Sequence, residues 1–254
     1  MISAFFHTFF YNPIYNALVA LVAIVPGSDV GIAIILLTIG IRLLLLPFSL
    51  SAARTQRAMK IIEPKIKALK EKHKGNKDQE AIETLALYRE AKVNPFASIL
   101  TAFIQIPILL ALYWVFTNEP FPAINLARLY ALTPIPHAVS LEFLGIISVT
   151  GKSILLAVLA GLTQLLQAHM ALSGTMKPSE GKTGLSGDFQ RIIGLQLKYV
   201  FPFLIAAISY TTSGAVALYF IATNLAGSAQ EWHVRRTIVA LEESEESELK
   251  LRSQ

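Results

Sequence analysis

The sequence predicts an all-α membrane protein: five transmembrane helices around a hydrophilic groove, an N-terminal interfacial helix and a cytoplasmic helical hairpin. Three observations predict it. Hydrophobic residues make up 54% of the 254 and charged ones only 15%, with a mean hydropathy of +0.53, more apolar surface than one soluble core of this size can bury. Five apolar windows approach the roughly 20 residues that a helix needs to cross hydrocarbon. Eleven of the 22 Lys and Arg fall between Arg54 and Lys92, between the first two windows, as expected of a cytoplasmic segment.

In chain order, residues 1–28 carry Phe5, Phe6, Phe9 and Phe10 and an apolar stretch from Ile14 to Val25, interrupted by Asn12, Pro13 and Asn16. About a dozen apolar residues fall short of a span, so this external segment reads as an amphipathic interfacial helix; an additional spanning helix is the alternative. No Lys or Arg precedes Arg42, so the basic start of a secretory signal is missing and no cleavage is expected. The five spans are residues 30–48, 96–116, 153–170, 197–212 and 214–231. The last two come from a nearly continuous run, Tyr199 to Gln230, which as one helix would be about 48 Å long and overshoot a bilayer. Thr211, Thr212, Ser213 and Gly214 supply the turn between them. Two helices of about 24–27 Å result, short enough to imply local thinning of the bilayer.

Between the first two spans, residues 52–93 place Met59, Ile62, Ile66 and Leu69, then Ile82, Leu85 and Tyr88, at helical spacing on either side of Gly75-Asn76. That is a helical hairpin, in which Pro64 is expected to bend or restart the first helix. Residues 171–196 form a Gly- and Ser-rich cytoplasmic loop, and the tail 233–254 ends in an acidic EESEESE run expected to be frayed or solvated. Few cations lie between Thr117 and Lys152, so the alternation of loop charge sets the N-terminus outside and the C-terminus in the cytoplasm.

Composition also excludes chemistries. With no Cys, thiol catalysis and disulfide frameworks are out. The basic balance, pI near 9.4, belongs to membrane orientation and is no sign of nucleic-acid readout. Gly181-Lys182-Thr183 lacks the Gly and the strand of a phosphate loop, since Met176 stands where that Gly is required. His7, His73, His137, His169 and His233 are scattered, without metal-ligand spacing, and no nucleophile with a base is visible. Neither a catalytic site, a metal nor a cofactor is expected.

Arg42 carries the functional information. It lies inside TIGIRLLLLPF, about 9 Å from the cytoplasmic end of the first span, where a charge costs roughly 2.5–3.5 kcal/mol. None of the 17 Asp and Glu falls within a span interior to neutralise it. Thr38, Thr101, Gln105, Thr163, Gln164 and Gln167 bring polar groups into the same spans, and facing one another they would form a hydrophilic concavity in the inner leaflet. Ser209, Tyr210, Tyr219, Thr223 and Asn224 extend one wall. The plainer alternatives are that Arg42 snorkels to the inner headgroups and that the polar residues join helices by hydrogen bonds.

These residues resemble the YidC/Oxa/Alb insertase family, from about Pro13 to Trp232. GIAIILLTIGIRLLLLPFSL is similar to its first core helix; EPKIKALKEKHK and LYREAKVNP to its basic hairpin; IQIPILLALYWVF and SGAVALYFIATNLAGSAQEW to its later helices. The resemblance is to the small bacterial YidC type without a large outer domain. It implies a membrane protein insertase and chaperone of the bacterial inner membrane that acts alone or with the Sec translocon. Its groove would open to cytoplasm and lipid, with Arg42 attracting acidic or polar parts of a client and Thr38 and Tyr219 near family groove positions. Nascent membrane proteins, the Sec translocon, the ribosome and lipid are the implied partners. Two departures are the Ala97-Ser98-Ile99-Leu100-Thr101 stretch after Phe96 and the acidic tail. The rival class is an anion or small-solute transporter using Arg42, which an internal repeat would favour; none is found.

Overall fold

Prolines determine how several helices begin in this computed structural model, which is described for residues 2–73, 75–91, 97–119, 121–173 and 196–252. Helix α1 (Ile2–Phe6) passes through a π turn (His7–Tyr11) into α2 (Asn12–Ile24), with the Asn12 N–H donating five residues back to the His7 carbonyl. Pro13 has no N–H to continue the ordinary ladder, and the wider turn before it absorbs that loss. The same device recurs at Gln196–Val200, before Pro202. Asn12 and Pro13, which break the apolar stretch in sequence, therefore lie within continuous helix, as the helical reading of this segment expects.

The chain divides into two units. The first comprises Met1–Leu43 and Ile108–Gln254. It holds α1, α2 and most of α3 (Val30–Leu44), the second half of α6 (Ala97–Asn118), α7 (Ile154–Ser173), α8 (Phe201–Thr211) and α9 (Gly214–Arg252). Its core buries Tyr15, Leu18, Val19 and Val22 of α2 with Ile34 of α3 and Leu112 and Val115 of α6. Helix α7 packs on α8 and α9. Gly161 permits the first approach, since a Cβ there would lie 3.0 Å from that of Ala206 and 3.1 Å from the Pro202 carbonyl. Asn224 ties the second, its amide donating to the Thr163 hydroxyl at 3.3 Å and the Ala160 carbonyl at 3.4 Å.

Between α6 and α7 the chain builds a connecting segment with a small hairpin of β1 (Glu142–Phe143) and β2 (Ile147–Ser148), turned through Leu144 and Gly145 at positive φ. By length and composition α7 can cross a membrane over Ile154–Ala171, and Val30–Leu44 with Leu46–Ala52 qualifies as a broken span. Ile154, Leu155, Val158 and Leu162 of α7 are exposed, as lipid contact requires.

The second unit, Leu44–Pro107, contains α4 (Leu46–Lys72), α5 (Lys77–Glu90) and the first half of α6. The connection between α4 and α5 uses Gly75 at φ 103°, and the Asn76 carboxamide caps α5 by accepting from the Gln79 N–H at 3.2 Å. His73 and Glu83 approach to 2.9 Å across the pair.

The helix expected over 30–48 breaks at Leu44, and a new helix with Pro47 in its first turn continues from Leu46 at a bend of 56°. Pro64, expected to bend or restart the first hairpin helix, does not restart it: α4 runs through it from Leu46 to Lys72. The tail, expected to be frayed or solvated, continues α9 as helix to Arg252 through a Glu-rich sequence with no Gly or Pro after Gly227. Of the loop expected at 171–196, residues 174–195 lie outside the described residues.

Candidate functional site

Three helices deliver polar groups to one depth. Arg42 lies about 18 Å along α3 from its start, Gln167 about 20 Å along α7 and Gly227 about 20 Å along α9, each counted at 1.5 Å per residue. They meet: a Cβ built on Gly227 would sit 3.5 Å from Arg42 Nη2 and 3.1 Å from Gln167 Cδ, and would collide with Gln167 Nε2. Tyr219, buried on α9, is near enough to the guanidinium to interact with it electrostatically. Arg42 itself is half-buried, its Nε has no hydrogen-bond partner among the described residues, and none of the ion pairs among those residues includes it.

The other sequence-predicted site residues fall around this point. Thr38 is 2% exposed and donates to the Ile34 carbonyl at 2.7 Å, which puts its hydroxyl in packed interior one turn from Arg42. Thr163 is half-buried and accepts from Asn224, so it joins α7 to α9; Gln164 is half-buried on α7. The side chains of Thr101 and Gln105 lie outside the described residues. Ser209 and Thr223 are buried with hydroxyls that have no partner among the described residues. Gly227 was missed, although a run of small residues, Ala226 to Ala229, is the signal for close helix approach in a membrane. No cluster of three or more His, Asp or Glu side chains able to hold a metal occurs among the described residues.

The segment between α6 and α7 covers the starts of α3 and α9, a feature the sequence reading did not contain. The Asp29 carboxylate caps α3 by accepting from the Gly31 N–H at 2.7 Å and the Ile32 N–H at 3.1 Å, while its second oxygen accepts from the Leu144 N–H at 2.7 Å. Ser140 exchanges backbone bonds with Ser28 and Val30. The same segment caps α9, with Gly214 N–H donating to Gly151 at 2.9 Å and Ala215 N–H to Val149 at 2.7 Å. Glycines make the docking possible: a Cβ at Gly31 would enter the Phe143 ring, and one at Gly214 would come within 2.6 Å of the Ser148 carbonyl. Nearer α2, the Asn16 carboxamide bonds Tyr130, Thr133 and the Arg128 carbonyl, and Arg128 pairs with Glu119 at 2.7 Å.

An apolar, mostly helical chain whose α7 is long and apolar enough to cross a membrane, with Arg42 half-buried among its helices, has the make-up of an α-helical membrane protein. The family model described as 60Kd inner membrane protein matches residues 21–242. A membrane protein insertase YidC of Fusobacterium nucleatum is 29% identical over 230 residues, which cover 88% of this chain and 97% of that protein. The YidC of Alkalihalophilus pseudofirmus is 30% identical over 225 residues, covering 85% and 77%. That of Clostridium perfringens is 32% identical over 177 residues, covering 70% and 68%. The chain belongs to this family of inner membrane proteins, the YidC/Oxa/Alb family.

Proposed function

We propose that this chain is a membrane protein insertase and chaperone that admits polar client segments into an inner-leaflet groove around Arg42. The observation that carries the reading is the Arg42 guanidinium: it lies at depth beside Gln167, with its Nε unbonded among the described residues and no ion-pair partner among them. A charge at that depth is stable only if solvent or a visiting group meets it. The segment that covers the starts of α3 and α9 lies on the outer side, which supports entry from the cytoplasmic side. An aqueous recess reaching part-way through shortens the low-dielectric path of a translocating polar tail, and a positive charge within it favours acidic tails.

In this reading five spans, with the N-terminus outside and the C-terminus in the cytoplasm, enclose the groove. Thr101, Gln105, Thr163, Gln164, Gln167 and Tyr219 line it, and Thr38 orders the turn before Arg42. The basic hairpin captures clients, with the Sec translocon and the ribosome as partners. The test is insertion of a small client with an acidic translocated tail into liposomes holding the purified chain, followed by protease protection. Arg42→Ala is expected to abolish most insertion and Arg42→Lys to retain much of it; insertion unchanged by Arg42→Ala for every client would overturn the role.

A further inference from the structure

We propose that the connecting segment, residues 126–148, is a lipid-docking element that seats in the headgroup and upper acyl region of the outer leaflet. Its large apolar side chains are turned outward: Leu132 is 96% exposed and Ile146 81%, and Leu126, Tyr130, Ile135 and Leu144 are exposed as well. Between Leu129 and Val149, Glu142 is the sole charged residue among Asp, Glu, Lys and Arg. Six large apolar side chains exposed within 21 residues are more than a water-facing loop needs, and such a density of apolar surface marks an interaction site.

The exposure is built in. Asp29 holds the Leu144 N–H, Ser140 is paired on both sides with the start of α3, and Phe143 fills the space above Gly31. With the backbone pinned at these points, the outward side chains have no route to collapse onto the core.

Depth identifies the occupant as lipid. The segment is bonded to the start of α3, where the broken span Val30–Leu44 with Leu46–Ala52 begins, and it leads directly to the apolar window Ile154–Ala171 of α7. A segment joined to the same end of both spans sits at the level of one membrane surface. The backbone groups of the hairpin and of Ser140 are paired with one another and with the start of α3, which suits that part of the segment to the membrane interface. Beyond a short polar stretch, Ser148 to Ser153, the exposed Ile154 and Leu155 open the apolar face of α7. Beside it, an apolar recess of about 520 Å³ bordered by Pro13, Ala17, Ala20, Tyr130 and Leu132 offers room for the end of an acyl chain. The inference requires only that α3 crosses the bilayer, and it stands or falls independently of insertase activity.

The chain has no native Cys, so Leu132→Cys and Ile146→Cys each accept one environment-sensitive nitrobenzoxadiazole probe, with Ile82→Cys on α5 as a water-facing control. The labelled full-length chain is placed in phosphatidylcholine–phosphatidylglycerol liposomes. Blue-shifted emission at 132 and 146, with nitroxide-lipid quenching about threefold or more above the control and protection from iodide, is the expected result. Iodide quenching equal to the control overturns the proposal. Shielding that appears only in native vesicles containing other proteins also overturns it, in favour of a protein partner.

Discussion

Replacing Gly227 with alanine separates stability from function. Inside α9 an alanine is normally favoured over glycine by about 0.5–1 kcal/mol, through the smaller backbone entropy lost on folding. The added Cβ collides with the Gln167 amide nitrogen, the far end of a flexible side chain, so the helix holds its place and the carboxamide swings away. The folded chain should be as stable as before or up to about 1 kcal/mol more so. Beside Arg42, however, one hydrogen-bonding group is displaced. A bond to a charged partner contributes about 1.5–3 kcal/mol, so insertion of an acidic-tailed client should fall by about tenfold or more. The assay compares two clients in proteoliposomes, identical except for acidic or uncharged tails, alongside a thermal midpoint in detergent. The ratio between clients should shift against the acidic one while the midpoint stays level or rises. With Gln167→Ser already present the collision is gone, and Gly227→Ala should add little further loss. An unchanged ratio, or an equal fall for both clients with a lowered midpoint, would refute the reasoning.

Gly214→Ala should behave in the opposite way, because its Cβ would meet the Ser148 carbonyl at 2.6 Å and the Val149 Cα at 3.1 Å, both backbone. A destabilisation of about 1–3 kcal/mol is expected, read as a lowered midpoint and faster proteolysis of the connecting segment; an unaffected midpoint would count against the docking described. The Tyr11 phenol, buried and donating to Glu119 at 3.1 Å, is pushed up from 10.0 to about 12, first by burial and then by the bond and charge of Glu119, with Arg128 opposing. Its neutral form is the one the fold favours, so the associated stabilisation is complete below pH 10 and lost as pH rises through about 12. Phenolate absorbance should show this, and Glu119→Gln should lower the transition while burial keeps it above the ordinary value.

What could be read in the sequence was local. Apolar windows, the helical spacing in residues 52–93 and the polar break from Thr211 to Gly214 depend on near neighbours, and α8 and α9 meet at that break. Arg42 announced itself because a charge in an apolar run needs an explanation wherever it sits. The partners of these residues were not readable, since Asp29 with Leu144 and Asn16 with Thr133 are more than a hundred residues apart. Thr38 illustrates the limit: its spacing from Arg42 put it one turn away, but only packing shows that its hydroxyl bonds its own helix. Gly227 was silent for the related reason that a residue without a side chain matters through what others do in the space above it.

The segment that caps both α3 and α9 also fixes where those helices can pivot. Their N-terminal ends are fastened to one strap, so any parting of Arg42 from Gly227 is a rotation about that fastening, like the arms of tongs. With arms of about 18–20 Å, a swing of about 10° moves the tips by roughly 3 Å while hardly disturbing the hinge.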